Sequence, residues 1–292
     1  MLFLMLPVCS AQDLEPRLYS NLPVDLNFLI VGYAYSEGDV ATDPSAPLTN
    51  AEIEVHSPIV AYARSLDIFG MSGKIDVVAP SACLSGTAEV NGEPRERDIC
   101  GLADPRFRIA TNFYGAPALA MQDFLHYEPE LILGASLQVS APLGQYNPDK
   151  LVNIGTNRWM VKPELGGSQT WGPFSFELSA AAAIFTDNDA FFGDSEREQA
   201  PIYSLQAHLV YGLRSGIWAA LDGTLYRGGR TKVDGALKDD LQENQRLGLT
   251  LAFPVNRKHS IKLYASTGLY TRTGSDFDLI GIAWQYRWGA GL

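Results

Sequence analysis

Apolar residues recur at every second position of this chain over segments of about 10 to 15 residues, and this period constrains the fold more than any other feature. Leu205, Ala207, Leu209, Tyr211 and Leu213 alternate with Ser204, Gln206, His208, Val210 and Gly212. A period of two sends neighbouring side chains to opposite faces of an extended strand. A helix crossing a bilayer needs roughly 20 consecutive apolar residues. Even the stretch from Leu131 to Pro148 is interrupted by Gly134, Ser136, Gln138, Ser140, Pro142 and Gly144, so helical spans are excluded.

The alternation predicts twelve strands, near residues 25–36, 51–65, 72–82, 104–115, 129–142, 157–167, 173–186, 200–213, 216–226, 243–253, 259–270 and 276–288. Connections after odd-numbered strands are long and polar, such as Asp39 to Asn50, Asp187 to Ala200 and Gly228 to Glu243. Those after even-numbered strands are tight, such as Gly167 to Gly172, Leu213 to Gly216 and Pro254 to Lys258, except that Pro117 to Pro129 has room for a helical turn. Long loops at one end and short turns at the other are the pattern of an outer-membrane barrel. The expected fold class is all-β: a closed antiparallel transmembrane β-barrel of about twelve strands, in the outer membrane of a Gram-negative bacterium.

The two faces of the predicted strands differ as lipid and water would require. Phe174, Phe176, Leu178, Ala180, Ala182 and Ile184 form one uncharged row, and Leu247, Leu249, Leu251 and Phe253 another. The opposite rows carry Lys74, Asp76, Arg108, Lys162, Glu164, Glu177, His208, Asp222, Arg246, Lys262 and Arg287, expected to line the lumen. Buried in hydrocarbon without partners, each charge would cost several kcal/mol. Trp159, Trp171, Tyr203, Trp284, Tyr286 and Trp288 fall near strand ends, where amphipathic rings suit a headgroup boundary.

Composition agrees. With 46% hydrophobic and 19% charged residues the chain is too apolar to be disordered, and a formal net charge of -11 repels nucleic acid. Leu2 to Val8 is a short apolar run followed by Cys9-Ser10-Ala11, which reads as an export signal cleaved after Ala11; acylation of Cys9 is the alternative. The expected organisation is a signal peptide over 1–11, a periplasmic amino-terminal segment over 12–24 and a barrel over 25–292. In an oxidising compartment Cys83 and Cys100 are expected to form a disulfide pinning the loop from Leu84 to Ile99, the alternative being two buried thiols.

Several segments resemble a known family: Glu15-Pro16-Arg17, Tyr19-Ser20-Asn21, Pro23-Val24 and Leu26-Asn27-Phe28-Leu29, then Ala103-Asp104-Pro105-Arg106, Gly115-Ala116-Pro117-Ala118-Leu119, Ser140-Ala141-Pro142-Leu143-Gly144-Gln145-Tyr146 and Gly155-Thr156-Asn157-Arg158-Trp159. They are similar to bacterial outer-membrane proteins labelled as transporters of the meta-pathway of phenol degradation. The resemblance implies an outer-membrane barrel and, more weakly, passage of aromatic or other small organic compounds. The last strand, with Ile282, Trp284, Tyr286, Trp288, Ala290 and Leu292 in one phase, resembles a signal read by the barrel-assembly machinery, but it ends in Leu292 where such signals end in an aromatic residue.

Two constellations could carry chemistry. A turn centred on Ser215 sets His208 opposite Asp222, within hydrogen-bond reach. Ser204 lies four residues from His208, roughly 13 Å by strand rise, too far for a nucleophile and its base, so no enzyme is expected. A turn between Thr170 and Trp171 sets Glu164 opposite Glu177, either sharing a proton or a cation, or neutralised by Lys162 and Arg158 in an internal salt-bridge network. His56, His126, His208 and His259 show no ligand spacing, the Asp43-Pro44 and Asp187-Asn188-Asp189 loops read as solvated turns, and Gly228-Gly229 is not placed as a phosphate loop, so neither metal nor cofactor is expected. Two readings remain: a passive conduit for small organic solutes through a charge-lined barrel, with lipid around it, or a closed structural or surface-binding barrel without transport.

Overall fold

The computed structural model describes residues 14–39, 48–90, 92–213, 216–273 and 276–292. Its strands are β1 (Leu26–Asp39), β2 (Leu48–Ile68), β3 (Met71–Val90), β4 (Glu93–Leu102), β5 (Arg106–Tyr114), β6 (Leu131–Ser140), β7 (Met160–Trp171), β8 (Phe174–Phe185), β9 (Asn188–Phe191), β10 (Ser195–Gln199), β11 (Ile202–Gly212), β12 (Trp218–Gly228), β13 (Thr231–Val233), β14 (Ala236–Leu237), β15 (Gln242–Pro254), β16 (His259–Thr271) and β17 (Asp276–Gly289). One helical turn, α1 (Met121–Phe124), sits between β5 and β6.

Twelve of these strands close an antiparallel barrel, each matching one of the segments expected from the alternation. β1 pairs with β17 from Leu26 opposite Gly289 onward, β2 pairs with both β1 and β3, and no barrel edge is left open. The outer rows stay exposed: Phe174, Phe176, Leu178 and Ile184 on β8, and Leu247, Leu249 and Leu251 on β15. The inner rows are buried whether apolar or charged, because in a barrel of this size the enclosed side chains and whatever else fills the bore cover one another.

Where the structure departs from expectation, it does so at strand ends. Leu84 to Ile99 is no loop: β3 continues to Val90 and turns back as β4, with Cys83 directly opposite Cys100. The two are bonded, with Cα atoms 4.0 Å apart. β9, β10, β13 and β14 form a separate four-stranded sheet within two expected surface loops. These short strands, such as Ser-Glu-Arg-Glu-Gln in β10, have no apolar row because neither face meets lipid, so alternation could not announce them.

The β7–β8 turn also moves. It falls on Gly172 and Pro173, beyond the end of β7 at Trp171. Gly172 has φ +55, a left-handed value that glycine adopts without strain, and Pro173 holds its own φ near that of a turn. The register consequently sets Glu164 against Ala181 and Glu177 against Ser168. The expected facing of Glu164 and Glu177 is thereby corrected.

Residues 14–23 follow the interior of the barrel rather than standing clear of it, in contrast to the periplasmic segment expected over 12–24. Leu14, Leu18, Tyr19 and Leu22 are all buried. The segment closes on the turn end through Val24 N–H to Leu119 O (2.9 Å) and Asp25 N–H to Ser65 O (3.2 Å). The physical reason is pairing: its polar groups meet charged inner residues that otherwise lack enough partners. The expected signal over 1–11, with residues 12 and 13, lies outside the described residues, as do Ser215 and the Asp43-Pro44 loop.

The inward segment as candidate functional site

Antiparallel register decides which inner side chains meet. Asp76 on β3 stands opposite Arg108 on β5, and the Arg108 Nε donates to Asp76 Oδ2 at 2.9 Å. The same guanidinium donates through Nη1 to Glu15 of the inward segment, so one cation holds two buried carboxylates. Lys74, next inward on β3, donates to the Leu18 carbonyl and, at 3.5 Å, to that of Arg17. Removing Arg108 would leave both carboxylates buried without the cation that holds them.

A second group lies around β7, β8 and β11. The backbone N–H of Arg17 donates to Glu177 Oε2 at 2.5 Å, and the Tyr19 hydroxyl donates to Glu164 Oε1 at 3.0 Å. Lys162 Nζ is 3.9 Å from Glu164 Oε2. Gly134 on β6 and Gly166 on β7 stand opposite each other, and the Tyr19 ring lies over both. A Cβ added at either glycine would come within 2.4 Å of that ring. The two expected carboxylates are therefore not a proton-sharing pair; each accepts separately from the inward segment.

His208 stands opposite Asp222, and its Nδ1 lies 2.8 Å from Asp222 Oδ1. Thr250 on β15 donates to the other oxygen, also at 2.8 Å. Ser204 stands opposite Tyr226, four positions along the ladder from His208. Arg246 donates to Ser266 Oγ (3.0 Å) and Phe277 O (2.9 Å) and lies 3.9 Å over the Phe277 ring. Lys262 is buried 5.2 Å from the Tyr264 ring, and Arg158 donates to Gln199 Oε1 at 2.5 Å. Arg287 is the outlier, standing at the turn end with its Nε on the Arg257 carbonyl at 2.7 Å.

Glu15, Arg17 and Tyr19 are the site residues that strand reasoning missed. A signal for them exists, since Gly134 and Gly166 occupy inward phases of neighbouring strands where nothing of their own fills the space. At the turn end, aromatic rings border the dry exterior. Trp284, Tyr286 and Trp288 stack along β17, with successive centroids 6.4 and 5.5 Å apart, and His259 stacks 5.5 Å from Trp284. A closed barrel with apolar outer rows and such rings is stable only with lipid around it, which places it in the bacterial outer membrane.

A family model described as "Putative MetA-pathway of phenol degradation" matches residues 35–286. No curated protein sequence matches the chain. Among solved structures, an outer membrane channel from Pseudomonas putida F1 is 21% identical, with a TM-score of 0.80 over 94% of this chain and 100% of that one. The translocator domain of the autotransporter NalP from Neisseria meningitidis is 6% identical, with a TM-score of 0.53 over 92% and 91%. The transport unit of the autotransporter AIDA-I from Escherichia coli is 9% identical, with a TM-score of 0.51 over 90% of each. These likenesses are of fold.

Proposed function

Since the chain belongs to this family, we propose that it is a passive outer-membrane conduit for small organic solutes, aromatic compounds among them, and that its inward segment sets the bore. The lining of that conduit is the charged inner row of Lys74, Asp76, Arg108, Lys162, Glu164, Glu177, His208, Asp222, Arg246 and Lys262, with Arg287 at its turn end. One observation carries the reading: among the described residues, 14–22 pair with no strand and are held in the barrel by side-chain packing and by separable polar contacts to Arg108, Lys74, Glu177 and Glu164. A segment held in this way can leave without breaking the barrel wall. Twelve strands enclose more room than the side-chain-filled eight-stranded barrels. The fold it shares with a Pseudomonas putida channel is consistent with the role.

The test is conductance in a planar bilayer, joined to swelling of liposomes in sugars, amino acids and phenols. The full chain should pass small solutes slowly, and a variant lacking residues 12–24 should pass them faster. Absence of flux from both would leave the closed structural barrel as the reading.

A further inference from the structure

The sheet of β2, β3 and β4 stands at the loop end, and its inner face borders a cavity lined by no residue of the inward segment. This cavity, of about 410 Å³, lies between the β3–β4 hairpin, residues 149–152 and the turn after β9. Pockets of roughly 300 to 1,000 Å³ suit small organic ligands. Its walls are apolar at Ile53, Leu84, Val152 and Phe192, and its cations include Arg97 and Lys150.

Among the described residues, the guanidinium of Arg97 makes one hydrogen bond. Its Nε donates to the Val152 carbonyl at 3.3 Å. Its two terminal nitrogens take no partner among the described residues, which leaves paired N–H groups beside an apolar wall. Such a fork matches a carboxylate. Arg95, the neighbouring cation, is engaged by Glu93 at 2.6 Å. Glu96 and Asp149 also border the cavity, so a ligand with two negative charges would be repelled where one with a single charge is held. The Cys83–Cys100 bridge ties the two strands that carry Leu84 and Arg97, so this wall is preorganised.

We propose that this cavity binds a small monocarboxylate with an apolar body, its carboxylate on Arg97 and its ring or short chain against Leu84, Val152 and Phe192. The site concerns equilibrium binding at the surface and stands whether or not the barrel conducts.

Isothermal titration of the full chain in detergent with benzoate, and with neutral benzamide as control, tests it. Benzoate should bind more tightly than benzamide. Arg97→Gln should weaken benzoate about tenfold, roughly 1.4 kcal/mol, while leaving benzamide unchanged, and Phe192→Ala should weaken both. Heat-modified migration on gels shows that each variant is folded; if Arg97→Gln is not, Lys150→Gln takes its place and should weaken benzoate alone. Equal binding of the two ligands, equal benzoate binding by the folded charge variant and wild type, or no benzoate binding would each overturn the site.

Discussion

Tyr19 donates its hydroxyl to Glu164 Oε1 at 3.0 Å across 145 positions of sequence, with its ring laid over the facing glycines Gly134 and Gly166. The contact joins the inward segment to the wall at the place where the wall has no side chains of its own.

Filling that place should expel the segment. In Gly134→Ala/Gly166→Ala each new Cβ lies 2.4 Å from the tyrosine ring. Overpacking of this kind costs about 1–3 kcal/mol, enough to shift the held and released populations several-fold or more. Single-channel conductance should rise, and Tyr19→Ala added to the pair should make the conductance independent of the two alanines. Unchanged conductance would show that the ring does not hold the segment.

Arg108 compensates both Asp76 and Glu15. Arg108→Leu strands two buried carboxylates, and removing one partner of a buried pair costs about 3–5 kcal/mol. Glu15→Gln leaves Arg108 with Asp76 and should cost less while loosening residues 14–22. Urea unfolding of the two variants in the same detergent ranks them; the reverse order would contradict the arrangement.

Leu249 is 62% exposed on the outer face of β15. An arginine there should destabilise the barrel by about 2–4 kcal/mol if the position meets the bilayer midplane. Folding into liposomes, compared with wild type, reads the difference. A neutral outcome would mean that this row does not touch acyl chains.

The bond between Cys83 and Cys100 closes a separation of 17 residues. A loop of that order contributes about 3 kcal/mol in the chain-entropy model, confined here to a hairpin beyond the wall. Reduction should therefore expose Arg95 and Arg97 to trypsin and leave the barrel intact. Alkylation of both thiols in denatured, unreduced protein would refute the bond.

Strand number was legible because lipid outside and polar groups inside impose opposite chemistry on alternate residues, as on β8 and β15. Register was legible between β11 and β12, where His208 does stand opposite Asp222. It was misread between β7 and β8 because the glycine-bounded stretch from Gly167 to Gly172 reads as the turn, although the Gly172-Pro173 pair makes the reversal. β4 and the small second sheet were hidden, since strands wet on both faces carry no alternation.

The sequence by itself determined a barrel, its dry and wet faces and the cysteine pair, since these follow from solvent preference at single positions or from the two cysteines that remain once Cys9 is set aside with the expected export signal. Only the tertiary structure decided that residues 14–22 enter the bore and that Glu15 reaches Arg108 across 93 positions. That choice depends on empty space left by small residues on distant strands and on the joint balance of buried charges, and neither quantity exists until the wall has closed.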